Sequence, residues 1–152
     1  MFKIKKIYLK NFKGIKDKTI VEFNDKVTLL TGPNGFGKTT IFDVLEWCFT
    51  GQLYRVKQNE KVTNDTKDYL KPIFQNTVDE DVIIKLWINN GKKDLIIVRC
   101  FSKIHDGRSK EGAKKNKPGD FDLLQLYSSS LEMFDNDSFD FTKEKSLTQN
   151  EI

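Results

Sequence analysis

In 152 residues, 38% hydrophobic and 12% aromatic side chains supply enough apolar surface for one folded core, which excludes a chain kept disordered by its composition. Lys and Arg number 26 against 22 Asp and Glu, so the formal charge of +4 permits a phosphate-bearing partner, while a solvated basic surface accounts for it equally well. No apolar run approaches the ~18 residues of a membrane span and the N-terminus lacks the apolar segment of a signal peptide, so the expected setting is the cytoplasm, with no membrane contact.

Residues 3–10 place Ile4, Ile7, Tyr8 and Leu9 among lysines and read as a strand with one wet face or at a sheet edge. Asn11-Phe12-Lys13-Gly14 reads as a turn, 19–23 as a second strand and Asn24-Asp25 as a short turn. The run Val27-Thr28-Leu29-Leu30 is β-branched and aliphatic and reads as a buried third strand, so a β-meander leads into a glycine-rich segment.

That segment, Thr31-Gly32-Pro33-Asn34-Gly35-Phe36-Gly37-Lys38-Thr39-Thr40, matches G-x-x-x-x-G-K-[ST]. Glycines let the backbone curl so that successive N–H groups face a phosphate, where a Cβ would obstruct. Lys38 is placed to reach the β- and γ-phosphates of a nucleotide, and the Thr39 hydroxyl to ligate Mg²⁺. The nucleotide-binding set is therefore Gly32, Pro33, Asn34, Gly35, Phe36, Gly37, Lys38, Thr39 and Thr40, with the positive end of the next helix adding to the field. A glycine-rich turn without a ligand is the plainer alternative, and the strand-to-helix context weighs against it.

Residues 39–49 read as that helix, with Ile41, Val44, Leu45, Cys48 and Phe49 at helical spacing, Phe42 and Trp47 widening the apolar surface, and Gly51 as its stop. Asp43 and Glu46 lie at least a turn beyond Lys38, which favours a solvated or packing role over catalysis. Residues 52–76 read as a long irregular connection with one short helix at 65–71 before Pro72. A hairpin follows: 82–88, an Asn89-Asn90-Gly91-Lys92-Lys93 turn, then 94–104, whose Asn-Gly step favours left-handed backbone. Cys100, like Cys48, lies among apolar neighbours and reads as a small buried hydrophobe in a reducing compartment, and a disulfide between the two is not expected.

Residues 103–118 are basic and nearly free of apolar side chains, so they read as a flexible loop whose Arg108, Lys110, Lys114, Lys115 and Lys117 could touch a nucleic-acid backbone by charge alone, or simply be solvated. His105 has no Cys or His companion and is given no metal role. Residues 121–127 read as a strand placed beside the hairpin as a third antiparallel member, and 135–140 as an acidic turn.

Taken together, the strand ending in Asn11-Phe12-Lys13, the second strand, and Leu-Leu-Thr-Gly-Pro-Asn-Gly-Phe-Gly-Lys-Thr-Thr followed by Ile-Phe-Asp-Val-Leu resemble the opening of the SMC, SbcC and RecF group of ABC-type ATPase heads, within the AAA family of P-loop ATPases. The resemblance implies an α/β P-loop NTPase fold of ABC-ATPase type: an N-terminal lobe spanning 1–152, with strands, Walker A and helix in 1–51, an irregular connection in 52–80, antiparallel strands in 81–128, and 129–152 leading to a Q-loop. Leu147-Thr148-Gln149 is similar to that Q-loop, which would give Gln149 a contact to Mg²⁺ and the attacking water beside the catalytic Lys38.

The resemblance further implies ATP and Mg²⁺ as cofactors, and as partners the protein's own C-terminal lobe, a second ATPase head and double-stranded DNA, in repair, chromosome maintenance or phage defence. In that group the Walker B aspartate, catalytic glutamate, switch histidine and Ser-Gly-Gly signature come from the C-terminal half, and none of these patterns occurs here. A fragment or truncated product is therefore expected: an ATPase when full-length, and a weak nucleotide binder with negligible turnover alone. Two other readings stay open. One is a self-contained P-loop enzyme such as a nucleotide kinase, although Arg55, Arg99 and Arg108 form no cluster in sequence, and the other is a nucleic-acid module built on the basic loop.

Overall fold

The computed structural model describes residues 1–35, 37–50, 76–77, 80–101 and 125–137, with backbone alone at 100–101 and 125–129. Five strands, β1 (Lys3–Lys10), β2 (Thr19–Glu22), β3 (Val82–Asn89), β4 (Asp94–Phe101) and β5 (Gln125–Ser129), form one antiparallel sheet in the order β2-β1-β3-β4-β5. One helix, α1 (Lys38–Thr50), covers one face, and a short 3₁₀ helix (Leu131–Met133) lies against the other. The N-terminal strands and the central hairpin thus belong to one continuous sheet.

β1 corrects the sequence expectation of an edge or half-wet strand. It lies inside the sheet between β2 and β3, with Ile7, Tyr8 and Leu9 fully buried. Its irregular alternation has a structural cause in a register shift between Ile4 and Lys6. In an unbroken strand Ile4 and Ile7 would face opposite sides, whereas the extra residue lets Ile4, Ile7 and Leu9 all pack toward α1. The lysines that made the strand look wet are paired at its margin: Lys3 and Lys5 with Asp25 at 3.5 and 2.7 Å, and Lys6 with Glu22 at 2.5 Å.

β3 alternates cleanly. Val82, Ile84, Leu86 and Ile88 pack with α1, while Ile83 and Trp87 belong to the opposite face. Its turn into β4 is made by side chains: the Asn89 Oδ1 accepts from Gly91 N, and Asn90 Oδ1 accepts from Lys92 N and Lys93 N. Gly91 has φ 88°, the left-handed conformation that the Asn-Gly step signalled. The two arms pair from Val82↔Phe101 to Asn89↔Asp94, and β5 adds antiparallel to β4.

Residues 27–30 differ from the predicted buried strand. They form no ladder, and Val27 and Leu29 are 75% and 80% exposed. An apolar strand is buried only when a neighbour supplies its backbone bonds and covers its side chains, and no such neighbour is present among the described residues. Phe42 is likewise exposed rather than part of the packed face of α1, and Phe49 is at the edge of that face.

The face away from α1 holds a polar surprise. Lys85, in the middle of β3, is fully buried. Its Nζ donates to Met133 O at 2.5 Å and Asn136 O at 2.6 Å, and lies 4.9 Å from the centre of the Tyr8 ring. Beside it Lys18 pairs with Asp137 at 2.7 Å and donates to Asp135 O, and Tyr8 Oη donates to Asp137. Phe134, 2% exposed, completes this seat for residues 130–137.

The seat makes two measurable differences. Lys85→Met keeps the stem but removes the donor to the Met133 and Asn136 carbonyls, so chemical denaturation should show a loss of about 1–3 kcal/mol. The hydrogen bond from Lys18 is the main cause holding the Asp137 carboxyl below its ordinary value of 3.8. A depressed folded-state value stabilises above the unfolded value and is lost as pH falls through the folded one. The thermal midpoint of the wild type should therefore fall more steeply than that of Asp137→Asn as pH drops below about 4.

Candidate functional site

The loop ahead of α1 is turned by its glycines. Gly35 has φ 88° and Gly37 φ 86°, conformations that an L side chain rarely adopts, and the helix starts at the next residue, Lys38. Ile41 N donates to Gly37 O, closing the first helical turn on the last loop residue. That first turn carries no acidic side chain, so no carboxylate of the turn itself offsets the positive end of the helix. The Lys38 Nζ lies back across the loop, donating to Gly32 O and, at 2.6 Å, to Pro33 O, so its cation is held at the mouth of the loop. Gly32, Pro33, Asn34, Gly35 and Thr39 are exposed and Thr40 is buried at 8%. Phe36 lies outside the described residues, as do Gln149, His105 and the basic-loop residues Arg108, Lys110, Lys114, Lys115 and Lys117.

These residues suit a nucleotide polyphosphate: exposed backbone at a helix N-terminus, a lysine at its mouth, and a hydroxyl on the first turn. No group of three or more His, Cys, Asp or Glu that could hold a metal occurs among the described residues. A Mg²⁺ ion would take the Thr39 hydroxyl together with phosphate oxygens and water, which is how Mg²⁺ is bound at such loops.

Sequence spacing did not reveal the support behind the loop. Asp43, expected to be solvated or packed, is 3% exposed and forms an ion pair with Lys13 at 2.5 Å. Lys13 comes from the turn after β1, where Asn11 and Lys13 both have positive φ, 56° and 51°. Between them Phe12 stacks on Trp47 of α1, with ring centres 5.6 Å apart and planes 6° from parallel. The only advance sign of this bracket was the odd Asn-Phe-Lys step between two strands; a long-range ion pair leaves no local pattern.

Arg99 is built into the core. Its Nη2 donates to Cys48 O at 3.0 Å, and its guanidinium lies 5.5 Å from the Trp47 ring centre. It is therefore not disposed to gather a phosphoryl acceptor. Burial pushes the Cys48 thiol up to about 12, so this cysteine packs as a hydrophobe and is no nucleophile at neutral pH.

The model of the AAA domain family matches residues 6–151. The DNA replication and repair protein RecF of Clostridium acetobutylicum is 32% identical over 97 residues, 62% of this chain and 26% of that protein. The chromosome partition protein Smc of Halothermothrix orenii is 30% identical over 115 residues, 70% of this chain and 9% of that protein. The chain thus spans about a quarter of the RecF relative and under a tenth of the Smc relative.

Among solved structures, one from work on ATP-driven dimerization and DNA-stimulated activation of SMC ATPases superposes with a TM-score of 0.56 at 17% identity, covering 97% of this chain and 74% of that one. The recombination mediator protein RecF with ATP superposes with a TM-score of 0.54 at 14% identity, over 84% of this chain and 27% of that one. At these identities the likeness is one of fold: an N-terminal lobe of the α/β P-loop NTPase class.

The bracket behind the loop predicts a measurable coupling. Lys13 and Asp43 are 17% and 4% exposed, so Asp43→Ala leaves a mostly buried ammonium without this carboxylate and should cost about 3 kcal/mol in urea denaturation. The double change Lys13→Met, Asp43→Leu should recover most of that loss, since an apolar pair of similar volume replaces the charges.

Proposed function

This chain belongs to the AAA domain family, as the N-terminal region of an SMC/RecF-like ABC-type ATPase, and on that premise we propose that it is the ATP-binding half of a DNA-associated ATPase head. The observation that carries the proposal is the loop from Gly32 to Thr39, turned by two left-handed glycines onto the positive end of α1 with Lys38 at its mouth. Bound Mg²⁺-ATP supplies the transferable phosphoryl group. Lys38 would neutralise charge on the β- and γ-phosphates, the loop amides would orient them, and the Thr39 hydroxyl would hold the metal. Gln149 is the proposed orienter of the attacking water.

Hydrolysis also needs a positioned water and the compensation of charge from the far side of the γ-phosphate. Asp43, the carboxylate nearest in sequence to the loop, is engaged with Lys13 and faces the core, so it is no base for that water. The proposal therefore assigns completion of the site to a C-terminal lobe and a second head.

An open groove of about 790 Å³ supports that assignment. Phe2, Phe23, Leu29, Phe42 and Leu45 line it, and it reaches Lys38 and Thr39 at the loop. It brings together Thr28, Leu29 and Leu30, which pair with no strand among the described residues, and the exposed Phe42, the kind of apolar surface that monomeric domains seldom leave to water. A strand of the C-terminal lobe beside 27–30 would bury both. DNA is the proposed partner of the assembled heads, with the basic residues Arg108, Lys110, Lys114, Lys115 and Lys117 as proposed contacts.

Titration with Mg²⁺-ATP tests the loop. The 152-residue chain should bind and Lys38→Ala should weaken binding at least tenfold, a loss of about 1.4 kcal/mol or more. Phosphate release by the chain alone should stay at background. Turnover that matches an intact ATPase and vanishes in Lys38→Ala would refute the half-site assignment, and failure of the wild type to bind would refute the nucleotide loop itself.

A further inference from the structure

Residues 11–15 leave β1, yet their bonds reach three other parts of the molecule. Asn11 is fully buried and left-handed. Its Nδ2 donates to Thr77 O at 2.9 Å and Glu80 O at 2.7 Å, while its Oδ1 accepts from Thr77 N at 2.7 Å and Thr77 Oγ1 at 3.2 Å. Both donors and both acceptor positions of the carboxamide are thereby used. The Asn11 carbonyl accepts from Asn76 N at 3.1 Å, and the Lys13 carbonyl from Asn76 Nδ2 at 2.6 Å. These bonds fasten the turn to residues 76, 77 and 80, just ahead of β3.

The same turn meets the phosphate loop on its other side. The Ile15 side chain lies 3.5 Å from where a Cβ on Gly37 would stand. Lys13 holds Asp43 and Phe12 stacks on Trp47, so the second and last turns of α1 are braced from the same short segment. The turn is closed on itself by reciprocal bonds between Phe12 and Ile15, Phe12 N to Ile15 O at 2.8 Å and Ile15 N to Phe12 O at 2.9 Å. It is a compact body with one set of partners on each side.

Asparagine suits this position for two reasons: it tolerates positive φ better than most residues, and it offers two donors and two acceptors at once. Aspartate would present a carboxylate oxygen to the carbonyls of Thr77 and Glu80. Glycine would keep the backbone and lose every side-chain bond.

We propose that Asn11 is a positioning residue for the phosphate loop, its carboxamide locking the 11–15 turn between residues 76, 77 and 80 and the start of α1, so that loop occupancy and the order of those residues are coupled. The proposal rests on the reading of 31–40 as a nucleotide-binding loop. By linkage the coupling works in both directions: a nucleotide that fixes Gly37 and α1 protects the Thr77 amide, and loss of the Asn11 bonds weakens nucleotide binding.

Amide hydrogen exchange at Asn76 and Thr77, with and without Mg²⁺-ATP, read beside nucleotide affinity, tests this on the 152-residue chain. In the wild type nucleotide should slow Thr77 exchange several-fold. Asn11→Gly, which accommodates the same φ, should lose that slowing and bind about tenfold more weakly, as expected when several buried bonds are removed. Should Asn11→Gly fail to fold, Asn76→Ala, which removes the partner of the Lys13 carbonyl, carries the same expectation in smaller measure. A structural role alone would lower the thermal midpoint and leave both readouts intact, and that result overturns the proposal. So does a wild-type Thr77 amide indifferent to bound nucleotide. A wild type that binds no nucleotide at all overturns the reading of the loop, a failure visible in the affinity measurement before exchange is consulted.

Discussion

The stacking of Phe12 on Trp47 fixes where the helix behind the glycine-rich loop can lie. Both rings are fully buried and nearly parallel, one on the turn that ends β1 and the other toward the far end of α1. Arg99 from β4 supports Trp47 and caps the Cys48 carbonyl, one of those that a helix leaves unsatisfied near its end. With Asp43 held by Lys13 and Trp47 by Phe12, α1 is fixed at two points along its length and its Lys38 end opens onto the glycine loop. A helix braced this way leaves less ordering for a ligand to impose at its N-terminus, and such prior ordering favours a backbone cradle toward anions.

The two faces of the sheet are organised by different chemistry. Toward α1 the contacts are mostly apolar, Ile7, Leu9, Val82, Ile84, Leu86 and Ile97 against Ile41, Val44, Trp47 and Cys48, with Arg99 as a polar member. On the other face a fully buried lysine donates to two backbone carbonyls and lies over an aromatic ring, so residues 130–137 are seated by directional bonds as well as by Phe134. Apolar packing tolerates small slips, but an ammonium with defined acceptors admits few arrangements. The outer turn is therefore held in one place relative to β1 and β3.

Where structure depends on local spacing, the sequence was readable. The glycine-turned loop that opens onto α1, α1 itself and the β3–β4 turn follow from glycines at fixed offsets, helical spacing and one Asn-Gly step. Where an outcome depends on distant partners, it was not. The lysines of β1 look like an exposed edge until Asp25, Glu22 and a bulge place them beside an interior strand. Val27 and Leu29 look buried because their composition demands cover, though composition does not say which segment supplies it. Lys85 interrupts an apolar strand, and nothing nearby announces that Met133 and Asn136 will receive it. Asn11 looked like a turn residue; its side-chain bonds all go to residues far along the chain.

The interior place of β1 also sets an order of events in folding. Its partners on one side are close at hand in β2, but Lys3 pairs with Asn89 and Lys10 with Ile83. During synthesis the chain makes β1, β2 and the phosphate loop first and must leave the apolar edge of β1 open until β3 emerges. Contacts so distant in sequence slow folding and prolong the exposure of an unpaired strand edge. The lysines spaced along β1 would then discourage that edge from pairing with another chain in the interval, before they take up their final ion pairs.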